Sequence, residues 1–187
     1  NLAIKALKYN YIPNKKIPIN KFIETEIFQK KISNPIGIAA GFDKDAEVYN
    51  SLYNLGFAFV EVGTVTPLKQ HGNPKPRVFR LEEDEALINR LGFNNSGADK
   101  VSSRIESNTP NGLFGINIGP NKDTKNRIED YLIGLRKFHN LADYLTINIS
   151  SPNTENLRSF HNKNELNELL SKIENEKKIL KTNINIA

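Results

Sequence analysis

Four short apolar runs, each released into small or polar residues and then into a helix-length segment, constrain this chain more than anything else in it. They are PIGIAA at 35–40, FAFVEV at 57–62, LFGINI at 113–118 and YLTINI at 144–149. Runs of this length, rich in β-branched and aromatic residues, read as buried strands. Between them the spacing predicts helices over 46–55, 97–106, 124–138 and 163–178, and Ile184 opens a fifth strand. Strands alternating with helices require right-handed βαβ crossovers and hence a parallel sheet. A doubly wound sheet and a (β/α)8 barrel both satisfy that pattern. No G-x-G-x-x-G follows the first strand, which argues against a dinucleotide-binding fold. A barrel usually needs roughly 250 residues. With 187 residues, beginning on Asn1 and ending as a strand begins, the chain is expected to be a piece of a longer protein carrying about the first half of a (β/α)8 TIM barrel.

The remaining segments fit around that rhythm. Residues 2–9 (LAIKALKY) place Leu2, Ala3, Ala6 and Leu7 on one helical face, and Pro13 and Pro18 end the helix. Residues 10–31 read as linker and irregular structure. The domain reading is therefore 1–31 as a partial N-terminal extension and 32–187 as the truncated barrel. A polar, Pro-rich excursion at 69–88 carries a hairpin around 77–81, with Arg80 on its strand.

Composition removes several function classes. The chain has no Cys, so it has no disulfide framework, thiolate nucleophile or cysteine-ligated metal. His71, His139 and His161 are scattered without ligand spacing, and no metal site is expected. The net charge of +5 comes from dispersed Lys rather than a basic stripe with interleaved aromatics, which argues against nucleic acid and leaves anionic lipid open. No signal peptide or membrane-spanning run is visible.

In a parallel barrel the site forms where strands end. Those ends read Gly41-Phe42-Asp43-Lys44, Gly63-Thr64, Asn117 with Gly119, and Asn148-Ile149-Ser150-Ser151-Pro152-Asn153. Gly admits close backbone approach, and Asn offers a donor beside an acceptor. A planar ring bearing N–H and C=O groups suits that mixture. Turn preference in an Asn-rich chain explains each Asn equally well when taken singly; the convergence of Gly, small hydroxyl and Asn residues at four exits favours a ligand.

The runs IAAGFDK (38–44), VEVGTVTP (60–67), GNPKPRVFRL (72–81), INRLGFNN (88–95), GINIGPNK (115–122) and ADYLTINISSPNT (142–154) resemble the dihydroorotate dehydrogenases, in particular their class 2, quinone-dependent and membrane-associated branch. The resemblance implies an FMN enzyme that oxidises dihydroorotate to orotate in pyrimidine (UMP) biosynthesis and passes electrons to a ubiquinone-type quinone. Carried over by position, Ser151 matches the base that takes the C5 proton, where class 1 enzymes use Cys. A hydroxyl is a poor base alone and needs a proton relay such as water and surroundings that favour its alkoxide. Ser150 has the opposite strand parity and reads as a packed or turn-capping hydroxyl.

Ala40, Gly41, Lys44, Thr64, Asn117 and Asn148 match flavin-binding positions. Lys44 also matches the lysine paired with the substrate carboxylate, and Asn148 reaches substrate as well. Asn89, Arg90, Leu91, Gly92 and Phe93 match the substrate loop, with Asn89 and Phe93 lining the pocket. Leu91 stands where relatives often carry another large residue. Asn153 matches a further substrate contact, and Arg80 an arginine at the quinone head group. The helix at 2–9 resembles part of an extension that shapes the quinone entrance. The resemblance further implies a monomer held peripherally on the cytoplasmic side of a bacterial inner membrane. The family's second active-site lysine lies on the strand beginning at Ile184, and its FMN phosphate loops lie later still. These residues alone are therefore expected neither to retain FMN tightly nor to turn over. The competing readings are another FMN- or phosphate-binding barrel, such as an ene-reductase-like enzyme or a lyase, and a basic domain that docks on membranes or nucleic acid.

Overall fold

The computed structural model describes residues 2–9, 11, 21–154 and 157–187. At its centre five parallel strands pair in the order β3 (Gly37–Ile38), β4 (Phe59–Val65), β7 (Leu113–Ile118), β8 (Tyr144–Ile147) and β9 (Asn185–Ile186). The order never reverses. A doubly wound sheet reverses at a switch point, so the two readings left open by the sequence separate here in favour of a singly wound sheet of the barrel kind.

The two faces of that sheet do different jobs. Val60, Val62, Phe114, Ile116, Ile118 and Leu145 are at most 1% exposed and point outward. They join one apolar cluster with residues of four helices. These are α2 (Tyr49–Asn54), α3 (Ala98–Ser107), α4 (Arg127–Phe138) and α5 (Lys163–Leu180). Each such burial contributes roughly 2 kcal/mol, which is what anchors the helices to the sheet. The alternate residues face inward: Phe59, Glu61 and Gly63 on β4, Leu113, Gly115 and Asn117 on β7, Tyr144, Thr146 and Asn148 from β8 onward. Their register sets Glu61 against Gly115 and Gly115 against Tyr144. A Cβ on Gly115 would lie 2.1 Å from Tyr144 Cζ, so glycine is what lets that ring cross the interior.

Helix ends follow their local chemistry. Asn126 caps α4 by accepting from Glu129 N, which starts the helix at Arg127 rather than at 124. Asn162 caps α5 in the same way through Asn164 N, and Lys181 ends it in the left-handed conformation. A 3-10 turn, Leu157–His161, precedes α5.

Two departures from the sequence reading concern the N-terminal segment. Residues 25–32, read as linker up to 31, form a hairpin of β1 (Thr25–Ile27) and β2 (Lys30–Ile32). Its turn residues Phe28 and Gln29 both have positive φ (51° and 63°), an uncommon choice where Asn-Gly is usual, so the sequence carried no turn signature. The hairpin seats Ile32 with Ala58, Leu113 and Tyr144 at the strands' starting ends, stacks Phe28 5.1 Å from Tyr144, and pairs Lys30 with Asp143. The helix α1 (Leu2–Lys8) forms as expected but buries a different face: Leu7 is buried and Ile4 partly, while Leu2 is 85% exposed. It docks on α2, where Ser51 Oγ donates to Leu7 O at 2.9 Å. Residues 10 and 12–20 of the predicted linker lie outside the described residues.

Candidate active site

The strand exits converge at one mouth. β4 shifts register against β7 at Gly63, whose φ of +109° and lack of a Cβ let Asn117 O lie where a side chain would otherwise stand. Gly41 N donates to Gly63 O at 2.8 Å and Gly63 N to Asp43 O at 3.0 Å, which stitches the 41–44 loop to the end of β4. Asp43 then holds the turn into α2, accepting from Glu47 N and Val48 N at 2.8 Å each. Burial pushes its carboxyl above the usual carboxylate range, against the lowering pull of those N–H groups.

Thr64, Asn117 and Asn148 form a closed triangle. Thr64 Oγ1 donates to Asn117 Oδ1 at 2.6 Å, and Asn148 Nδ2 donates to Thr64 Oγ1 at 3.0 Å and to Asn117 Oδ1 at 3.1 Å. Tyr131 Oη, from α4, supports the exit of β8 by donating to Asn148 O at 2.7 Å. Ala40 is half-buried beside this group and Gly41 is exposed. The space over Gly41 is open: a Cβ there would come no closer than 3.9 Å to Lys44 Nζ. Gly119 differs, since Thr64 Cγ2 and Phe93 Cε2 already fill its Cβ position at 2.8 and 3.1 Å. That contact brings Phe93 of the 89–93 loop directly over Thr64.

The serine loop meets the other hairpin. β5 (Val78–Leu81) pairs antiparallel with β6 (Ala86–Asn89), as the sequence predicted, and both strands are exposed. Ser151 is half-buried, and its Oγ accepts from Asn153 N at 3.2 Å. Asn153 Nδ2 donates to Asn89 Oδ1 at 3.4 Å, so the Ser151 loop and the base of β6 touch. Ser150 is exposed and donates through both N and Oγ to Asn148 Oδ1, a turn-capping role. Lys44 is half-buried. Burial lowers its pKa from the ordinary lysine value, with Asp45 opposing and the Arg77 charge adding to the effect. Arg77 O accepts from Arg90 N at 2.9 Å, which ties Arg77 to the end of β6.

Four expected residues stand apart from the mouth. Arg90 donates Nε and Nη2 to Pro76 O and lies 5.8 Å over the Phe79 ring, an arrangement that clamps the hairpin. Leu91 and Gly92 are tucked beneath it, with Leu91 O accepting from Asn73 N. Arg80 is exposed on β5 opposite Leu87. Sequence reasoning missed Asn95, which accepts from Thr66 N and Gly97 N and donates to Thr66 Oγ1 and Phe93 O, locking the loop that carries Phe93. It also missed Glu61, although a charged residue inside FAFVEV, on the parity of Gly63, was readable. Among the described residues no cluster of His, Cys, Asp or Glu could hold a metal ion.

The donor set fits a flat heteroaromatic ring with alternating N–H and C=O groups. Carboxamides lie at one edge, and open backbone at Gly41 leads to the partly buried Lys44 ammonium. A singly wound parallel sheet with such a mouth defines a (β/α)8-barrel enzyme fold, of which these residues cover about half. The chain belongs to the dihydroorotate dehydrogenase family, whose model matches residues 22–186. It is 50% identical over 172 residues to the dihydroorotate dehydrogenase (quinone) of Rhizobium etli, covering 92% of this chain and 48% of that one. Against the Bartonella tribocorum protein of the same name the identity is 49% over 177 residues, covering 95% and 49%. The crystal structure of DHODH from Eimeria tenella in complex with ferulenol superposes with a TM-score of 0.89 at 39% identity, over 96% of this chain and 50% of that one. The chain thus spans about half the length of the relatives it matches.

Proposed function

We propose that this chain carries the substrate-side half of a class 2 dihydroorotate dehydrogenase site, oxidising dihydroorotate to orotate with a quinone as final acceptor. The observation that carries the reading is the meeting of two groups at one mouth: the Thr64–Asn117–Asn148 triangle, and the Ser151 loop joined through Asn153 to Asn89. FMN, when bound, supplies the two-electron acceptor. Ala40, Gly41, Lys44, Thr64, Asn117 and Asn148 are the residues that would hold it.

Ser151 acts as the base on C5. Its Oγ already receives an N–H from Asn153, and such a donor favours the alkoxide that proton removal requires. Lys44 pairs with the substrate carboxylate, a contact that repays the cost of keeping the ammonium desolvated. Asn89, Asn148 and Asn153 orient the pyrimidine ring through their amides, and Phe93 covers it and excludes water. Arg80 faces the quinone, and exposed Leu2, Tyr9 and Tyr11 suit a peripheral membrane contact. Among the described residues no helix is long and apolar enough to cross a membrane. The relatives' bacterial sources support the cytoplasmic face of an inner membrane.

Anaerobic mixing of the intact, FMN-loaded protein with dihydroorotate tests the reading. Bleaching of the flavin is expected, with Ser151→Ala slowing it by a factor on the order of a hundred or more and Ser150→Ala leaving it fast. Flavin that stays yellow with dihydroorotate, yet is bleached by a reduced nicotinamide and regains its colour when an enone is added, would point to the ene-reductase-like alternative. Residues 1–187 alone are expected to bind FMN weakly and not to turn over.

A further inference from the structure

Beneath the mouth, one carboxylate sits where two side-chain donors converge. Glu61 Oε1 accepts from Asn117 Nδ2 at 2.9 Å and Oε2 from Thr146 Oγ1 at 2.8 Å. The Tyr144 hydroxyl lies near the same group, whose charge adds to burial in pushing the Tyr144 pKa up. An amide nitrogen only donates. The bond from Asn117 to Glu61 therefore has a fixed direction.

That direction propagates upward. With Nδ2 held on Glu61, the Asn117 amide must turn Oδ1 to the strand exits, where Thr64 Oγ1 and Asn148 Nδ2 donate to it. Thr64 has spent its single proton on Asn117, so its oxygen can only accept from Asn148 Nδ2. Asn148 has then committed its amino group, and its Oδ1 faces the other way to receive Ser150 N and Oγ. One acceptor at the bottom orders three side chains above it.

We infer that Glu61 is a positioning residue: acting through Asn117, it fixes the donor–acceptor polarity of Asn117 and Asn148, and so the pattern the mouth offers to a heteroaromatic ring. This rests on the reading that Asn117 and Asn148 hold the flavin. Gln at position 61 would keep the shape but put an amino group in place of one carboxylate oxygen. With that amino group toward Asn117 two donors face each other, Asn117 turns over, and the order above it is lost. In a low-dielectric interior such a mismatch is costly, because a donor facing a donor leaves both unpaired.

The test uses the intact protein as its gene encodes it, stripped of FMN. FMN affinity is measured by flavin fluorescence, and the orientation of Asn117 and Asn148 by their side-chain amide resonances. Glu61→Gln is expected to raise the FMN Kd on the order of tenfold and to shift both amides. Thr146→Val removes one donor from the carboxylate but leaves its bond to Asn117, so the Kd should change less than about threefold. Glu61→Asp, which keeps the acceptor and covers the case where Glu61→Gln does not fold, should fall between wild type and Gln. The inference is overturned if Glu61→Gln binds FMN as wild type does, if Glu61→Asp binds as weakly as Glu61→Gln, or if Thr146→Val weakens binding as much as Glu61→Gln. Wild-type FMN affinity in Asn117→Ala would instead sink the flavin reading while leaving the ordered amides intact.

Discussion

Gly63 and Gly41 share almost one backbone conformation, φ +109° and +111°, and differ in what surrounds them. A Cβ at 63 would lie 2.4 Å from Asn117 O and 2.9 Å from Val65 N, both backbone atoms of paired strands. A Cβ at 41 meets only Lys44 Nζ, at 3.9 Å. Alanine at either position costs about 1–3 kcal/mol for holding an L residue in that region. Only Gly63→Ala adds a collision that must push β4 from β7, about 1–3 kcal/mol more. The measurement is urea unfolding of each intact variant followed by far-UV circular dichroism. With a slope near ~2 kcal/mol per molar, the Gly63→Ala midpoint should fall roughly 0.5–1.5 M below that of Gly41→Ala, at equal slopes. Equal midpoints, or a larger loss at Gly41, would refute the idea that the missing side chain at 63 is what lets the strand exit close on Asn117.

Two further outcomes follow from charged groups. Arg136 grips Glu176 through Nε and Nη2 at 2.6 and 3.0 Å, and this hydrogen bonding lowers the Glu176 pKa from its ordinary 4.5. A lowered folded-state value stabilises above the unfolded pKa and is lost as pH falls through the folded one. The melting temperature of Glu176→Gln should therefore lie below wild type at neutral pH, with the gap closing as pH falls below the ordinary glutamate value; a gap constant with pH would contradict this. For Lys44, whose pKa burial lowers, orotate affinity in the intact protein should weaken as pH rises toward and past that lowered value, because the ammonium is the binding form. Titration calorimetry across pH should find that trend absent in Lys44→Met, and parallel curves for the two proteins would remove Lys44 from the carboxylate.

The sheet was legible because burial on the helix side writes itself as apolar residues, and FAFVEV and LFGINI carry that mark openly. Strand lengths were less so. β4 runs on through Gly63, Thr64 and Val65, since a register shift against β7 lets these turn-like residues stay paired. The first strand shrinks to Gly37–Ile38 because Ala39 and Ala40 already leave the sheet. The β1–β2 hairpin escaped because Phe28 and Gln29 are not turn residues by type. At the mouth, residue identities were readable but their links were not: that Asn153 reaches Asn89, or that Arg90 grips Pro76, depends on contacts between residues far apart in the chain. Family resemblance supplied roles for single positions; the ordering carboxylate at 61 lies outside those roles and emerges only from the hydrogen bonds.

The hairpin at 25–32 carries a consequence for how anything reaches this protein's interior. It covers the strands' starting ends with Ile32 and the tilted Phe28–Tyr144 ring pair. The inner face of the sheet is thus sealed below by hydrocarbon, with the Glu61 carboxylate above that and the amides of Asn117 and Asn148 higher still, so polar contact is offered only from the strand exits.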